Sequence, residues 1–161
     1  MRLLQVYPPL SQSRLLGLPI SAHFLNRGHT LMIAFLDSRE IIAWNVAPWN
    51  QLWHQKIRTR IGSMAYHDAT KTLLVWNLVD GFDAYRLVDK PNNCLLHFRH
   101  FRVKIRRNRI CHIQFDLDGK TAITGSDNGR VVIWDISTGQ QVQVLHHSKG
   151  TYTNHAPKPL N

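Results

Sequence analysis

The densest concentration of chemistry-bearing side chains lies at residues 99–109, RHFRVKIRRNR, which carry Arg99, Arg102, Lys104, Arg106, Arg107 and Arg109. No acid occurs between Asp89 and Asp116. A cation run of this kind suits contact with a nucleic-acid phosphate backbone, an acidic partner surface, or service as a nuclear localisation signal. It suits equally a solvated connection whose charge protects a strand edge. Phe101, Val103 and Ile105 alternate with Arg102, Lys104 and Arg106. An extended backbone there turns the apolar side chains one way and the cations the other.

The remaining reactive residue types form no catalytic pattern. Ten histidines raise the question of a metal, yet none shows ligand spacing. His146 and His147 are adjacent, so in a strand they point to opposite faces and cannot easily share an ion. There is no G-x-S-x-G elbow, P-loop, G-x-G-x-x-G or H-E-x-x-H. Asp116 and Asp118 flank a hairpin turn, which accounts for them without acid–base work. Cys94 and Cys111 lack C-x-x-C spacing and are expected in strands, which points to neither a disulfide framework nor zinc and suits a reducing compartment. The expectation is a non-enzyme with no catalytic residues, no cofactor and no metal.

Composition bounds the rest. The chain has 161 residues, enough for one domain with a real core, and carries 20 Lys and Arg against 10 acids, of which only Glu40 is a glutamate. The formal charge of +10 favours anionic partners without specifying a fold. No apolar run approaches the roughly 20 residues of a membrane span. Pro8-Pro9 interrupts the N-terminal MRLLQVYPPLSQSR before it reaches signal-peptide length. The protein is expected to be intracellular, in cytoplasm, nucleus or both, with no membrane partner.

The elements that must position these residues are clearest at 109–147. Four short runs, 110–115, 121–126, 130–136 and 141–147, are separated by Asp-Leu-Asp-Gly-Lys, Asp127-Asn128-Gly129 and Ser137-Thr138-Gly139. Asp-Gly and Asn-Gly supply the positive-φ positions of tight hairpins, so a four-stranded antiparallel meander is predicted. The stretch FDLDGKTAITGSDNGRVVIWDISTGQQV resembles a WD40 repeat, with Trp134-Asp135 as the W-D pair closing the third strand. Such repeats of about 40–45 residues each form one blade of a β-propeller.

The aromatic markers recur. Phe115 and Trp134 stand 19 residues apart, Phe24 and Trp44 stand 20 apart, and Tyr66 and Tyr85 stand 19 apart. An all-β fold of three antiparallel blades is therefore predicted at 20–57, 61–100 and 109–147. Their strands are expected at 20–25, 30–36, 40–46 and 51–57, and at 61–66, 72–78, 82–88 and 94–100, besides the four already named. The runs LMIAFL and LLVWNL lack polar alternation, as befits strands covered on both faces. Residues 1–19 read as a leader or the outer strand of a neighbouring blade, 101–108 as a basic insert, and 148–161 as a disordered tail.

What the resemblance implies for individual residues is structural. The family's blade is braced by hydrogen bonds among a His of a Gly-His pair, a Ser or Thr, a turn Asp and the third-strand Trp. By position Thr124 supplies the hydroxyl and Trp134 the indole. Asn128 stands where the aspartate is expected, with Asp127 one residue earlier, and Asp135 completes the W-D pair. Ile105 and Arg106 occupy the Gly-His position, and Gly28-His29 falls in a different turn. Trp49, beside Pro48, and Trp53 are possible protein-contact anchors if exposed, or packing between blades if not.

The resemblance implies a non-enzymatic protein-interaction scaffold whose partners are other proteins. The alternative is nucleic-acid or polyanion binding through 99–109. Three blades do not close a ring of four to eight, so the chain is expected either to be a fragment of a larger propeller or to assemble with further blades.

Overall fold

The computed structural model describes residues 17–88, 94–107, 109–127 and 129–146. Asn128, His147, the tail at 148–161 and nearly all of the expected leader lie outside these. Twelve strands form three four-stranded antiparallel sheets, each a meander in chain order. The first contains β1 (Pro19–Leu25), β2 (Thr30–Phe35), β3 (Glu40–Val46) and β4 (Trp49–Lys56). The second contains β5 (Ser63–His67), β6 (Thr72–Trp76), β7 (Gly81–Val88) and β8 (Cys94–Arg102). The third contains β9 (Ile113–Phe115), β10 (Thr121–Gly125), β11 (Arg130–Asp135) and β12 (Gln141–His146). No described sheet closes into a barrel.

The sheets stack face to face like blades. One core joins the first two sheets through Met32, Ala34, Ile41 and Ala43 against Met64, Leu73, Val75 and Tyr85. A second joins the other face of the second sheet to the third, through Leu74, Trp76, Phe82 and Phe101 against Ala122, Val132 and Trp134. β6 is consequently buried along its whole length. In β2, Met32 and Ala34 are buried while Leu31 and Ile33, on the face turned away from the second sheet, are half-buried. The unalternating sequence of β6 follows from burying apolar surface on two faces rather than one. The innermost strands β1, β5 and β9 converge on a cleft of about 440 Å³ that includes Ser21, His23, Met64 and His112.

A feature invisible in the sequence repeats in all three sheets. Each outer strand is bulged beside the aromatic marker of its third strand. The register skips Leu52 between Ala43↔Trp53 and Trp44↔Gln51. It skips Phe98 between Ala84↔Arg99 and Tyr85↔His97, and Val142 between Ile133↔Gln143 and Trp134↔Gln141. A bulge places two residues opposite one, bends the strand and reverses which face the following side chains take.

The bulge decides between the two roles left open for the tryptophans. Trp53 is set opposite Ala43 and buried in the core between the first and second sheets, so it is no exposed contact anchor. Trp49 opens β4, two residues before the expected start, and its half-buried ring stacks on Trp44 at 6.3 Å.

The basic insert also begins later than expected. β8 continues through Arg102, and Phe101 is 1% exposed, stacked on Phe82 at 4.3 Å and edge-on to Trp134 at 5.9 Å. Phe101 and Arg102 are therefore strand residues. Gly81 makes this pairing possible. Its φ is 148°, and a Cβ there would stand 2.0 Å from the Phe101 carbonyl oxygen. At the other end of the segment, β9 starts only at Ile113, which leaves Cys111 in the connection rather than in a strand.

Candidate functional site: a cationic end and an adjoining cleft

Antiparallel registry fixes which connections share an end. Glu40 pairs with Lys56, Gly81 with Arg102, and Arg130 with His146. The turns 36–39, 77–80 and 126–129 therefore lie at the same end as the crossovers 57–62 and 103–112 between sheets. Hydrogen bonds tie them together: Ile57 N–H donates to the Arg39 carbonyl at 2.9 Å, and Val103 N–H to that of Asp80 at 2.8 Å.

Charge is segregated between the two ends. Among the described residues, the connections at the crossover end hold seven cations, Arg39, Arg58, Arg60, Lys104, Arg106, Arg107 and Arg109. They hold three acids, Asp37, Asp80 and Asp127. The described connections at the opposite end hold Arg27, Lys71 and Lys120 against Asp68, Asp116 and Asp118. The sequence shows a linear basic run; the fold makes of it one end of the molecule.

The three acids of the crossover end are already engaged. Asp37 accepts from Arg60 at 2.6 Å. Asp80 accepts from Asn77 at 3.1 Å and lies 3.3 Å from His100. Asp127 accepts the backbone N–H groups of both Arg106 and Arg107. That last arrangement holds the main chain of the basic connection while both guanidinium groups remain in solvent. Asp127 thus reaches the backbone at the position where the resemblance calls for Gly-His, and no imidazole is involved. No described carboxylate forms an ion pair with Arg58, Lys104, Arg106, Arg107 or Arg109.

Not every residue of the run belongs here. The bulge at Phe98 puts Arg99 opposite Ala84, on the face toward the third sheet. There it donates to the carbonyls of Ser137 at 2.6 Å and Thr138 at 3.0 Å, at the far end of that sheet. Arg99 is an inter-sheet tether and not an anion contact. Arg102, Lys104, Arg106, Arg107 and Arg109 are exposed. Arg130, which sequence reading passed over because it stands 21 residues beyond Arg109, opens β11 at the same end and is also exposed.

The residues expected to brace the third blade lie as follows. Trp134 Nε1 donates to Thr124 Oγ1 at 3.1 Å, both side chains being buried. Asp135 closes the β11–β12 turn, its Oδ1 accepting from Ser137 Oγ at 2.7 Å and from Thr138 N–H and Oγ1 at 2.7 and 2.9 Å. Those hydrogen bonds, with Ser137's hydroxyl the largest influence, hold its carboxyl down to about 2.

A cleft of about 650 Å³ runs along the seam between the outer strands of the first two sheets up to the cationic end. The Gln55 side chain closes this seam. Its amide donates to the Leu95 carbonyl at 2.9 Å and its oxygen accepts the Leu95 N–H at 2.7 Å. At the mouth a polar cluster organises the 77–80 turn. The buried Asn77 oxygen accepts N–H groups from Val79, Asp80 and Gly81 at 2.9, 3.1 and 3.2 Å. Its amide donates to Asp80 and to Asp83, each at 3.1 Å. Asp83 Oδ1 lies 3.1 Å from His97 Nε2 and 2.9 Å from His100 Nδ1. Sequence reading missed this cluster. Its signal was Asn77 placed three residues before Asp80 and six before Asp83.

Nothing in these groups is set for nucleophilic chemistry. The Cys111 thiol is pushed up, first by burial and then by the Asp127 charge, with Arg109 opposing. Burial also pushes the Tyr85 phenol up, aided by Asp83, with Arg58 opposing. No group of three or more His, Cys, Asp or Glu side chains among the described residues could hold a metal ion.

No family model matches the chain, and no curated protein does. Solved structures do. A chain of the hydrazine synthase of Kuenenia stuttgartiensis superposes with a TM-score of 0.65 at 15% identity, over 89% of this chain and 40% of that one. A chain from the crystal structure of a mitotic checkpoint complex superposes at 0.61 with 14% identity, over 79% of this chain and 36% of its own length. This chain thus spans well under half of either neighbour. At such identities the likeness carries the fold alone, and with three stacked antiparallel sheets that fold is β-propeller-like.

Proposed function

We propose that this chain is a non-enzymatic interaction platform of the WD40 type, presenting its crossover end to acidic protein surfaces. The observation that carries this reading is the segregation of charge: seven cations face three engaged acids at one end, while the described connections of the other end are balanced. Such a field steers anionic partners and sets orientation more than it sets affinity. Where the cations emerge, Asp127 accepts the main-chain N–H groups of Arg106 and Arg107. The mitotic checkpoint neighbour is found in a multi-protein complex, which accords with a scaffold role. Because the two outermost sheet faces lack a sheet neighbour among the described residues, further blades, from a longer chain or an oligomer, belong to the reading.

The test compares two charge-matched variants. Arg106, Arg107 and Arg109 are replaced by Gln in one, and Arg27, Lys71 and Lys120 in the other. Retention on immobilised poly-glutamate should drop for the first and hold for the second. Equal loss from both would reduce the effect to net charge and remove the platform reading.

Nucleic-acid binding is the competing reading, favoured by the exposure of Arg102, Lys104, Arg106, Arg107 and Arg109 along one connection. It requires affinity that falls steeply with salt, by a slope near −0.9 for each phosphate engaged on duplex DNA.

A further inference from the structure

We infer that the cleft between the first and second sheets receives an acidic segment of a partner polypeptide, one in which Asp or Glu alternates with aliphatic side chains. The inference rests on the platform reading and names its specificity site. At about 650 Å³ the cleft falls within the range of ligand-binding cavities, and the reciprocal Gln55–Leu95 hydrogen bonds form it in advance.

Its lining and its rim offer cations and a hydroxyl that a carboxylate could engage. Asp80 and Asp83 border the cleft, where Asn77 donates to both and His97 and His100 lie within 3.3 Å of their oxygens. Lys56 and Arg58 also line it, and neither is paired with a described carboxylate. Both Asp83 and, less strongly, Arg58 stand close enough to act on the Tyr85 hydroxyl within the same wall. Thr59 contributes a buried hydroxyl oxygen that has no hydrogen-bond partner. A buried hydroxyl left unpaired is costly, and a carboxylate placed beside it would accept a hydrogen bond from it.

The same lining selects for aliphatic neighbours. Ile57, Tyr85 and Leu95 form the apolar wall, and Val79, 65% exposed, stands at the mouth. Ile110, 47% exposed, lies among the cations of the next crossover. Apolar side chains interleaved with cations match an amphipathic acidic peptide. They match a nucleic-acid strand poorly, because the described connections at this end carry no Phe, Tyr or Trp on which a base could stack, and Tyr85 in the cleft wall is buried.

The experiment is fluorescence anisotropy on the whole chain with a labelled peptide of alternating Glu and Leu, and separately with labelled oligo-dT and a DNA duplex. Two variants are compared: Lys56→Gln with Arg58→Gln in the cleft, and Arg106→Gln with Arg107→Gln at the rim. All four residues are exposed, so the fold is not at stake. The expected result is peptide binding that weakens about tenfold or more in the cleft variant, and changes mainly in association rate and salt dependence in the rim variant. Wild-type affinity in the cleft variant with loss in the rim variant overturns the cleft assignment and leaves the platform reading standing. Retention of the oligonucleotides with no peptide binding overturns both.

Discussion

Phe101 is where the basic run meets the core, and truncating it is the sharpest perturbation of the fold. The side chain is 1% exposed, stacked at 4.3 Å and 7° on Phe82 and set edge-on at 5.9 Å and 81° to Trp134. Phe82 and Trp134 belong to different sheets, so Phe101 helps hold the second blade to the third. A buried Phe→Ala substitution costs about 3–5 kcal/mol from lost transfer energy and the residual cavity. Two aromatic pairs, each worth roughly 0.5–1.5 kcal/mol beyond area, place Phe101→Ala in the upper part of that range. Against a domain stability of about 5–15 kcal/mol, this is a large fraction. Arg102, the next residue, is exposed at the end of the strand, and Arg102→Ala should stay within about 0.5 kcal/mol. Urea titration followed by far-ultraviolet circular dichroism measures both. If Phe101→Ala costs less than about 1 kcal/mol, or if the two substitutions cost alike, the alternation of buried apolar and exposed cationic residues through this segment is wrong.

Three further outcomes follow from single groups. Thr124→Val keeps the side-chain shape but orphans the buried Trp134 indole N–H, so it should cost about 1–3 kcal/mol in the wild-type background and clearly less beside Trp134→Phe; a double-mutant cycle reads the coupling. Asn77→Ala leaves the N–H groups of Val79, Asp80 and Gly81 without their acceptor, so thermal unfolding should come several degrees earlier and the 77–80 amides should lose protection in hydrogen exchange. Asp135 has its carboxyl held at about 2, below the ordinary 3.8, by hydrogen bonds present only when folded. Its contribution is therefore full above about pH 4 and lost as pH falls toward 2, so the acid limb of the stability curve should flatten in Asp135→Asn.

The strands were legible because the determinants of each are local. Positive-φ turn residues such as Gly129 and Gly139, and short β-branched runs between them, place eleven of the twelve described strands within two residues of their observed starts. β9 departs from this, starting three residues late, and the departure is physical. Residues 110–112 resemble strand in composition, yet they serve as the crossover that brings the third sheet beside the second, and pairing begins only at Ile113. The facing of side chains on outer strands was not legible. A single bulge residue inverts the alternation, and Leu52, Phe98 and Val142 look like any other strand residue.

The candidate site was legible only as a line of charge. Arg106, Arg107 and Arg109 are adjacent in sequence, but Arg58 and Arg130 join them through tertiary structure that no local pattern encodes. Asp127 shows the same limit from the other side. Its position was recognisable as a bracing acid, whereas its partners are backbone N–H groups, which leave no trace in residue identity.

Hydrogen exchange with and without poly-glutamate tests the central claim most directly, because it locates the interacting surface without presupposing which side chains matter. The account predicts that protection rises in 57–62, 77–80 and 103–107, with 68–71, 116–120 and 136–140 unchanged. Protection concentrated in the latter segments, or spread evenly over both ends, would contradict it.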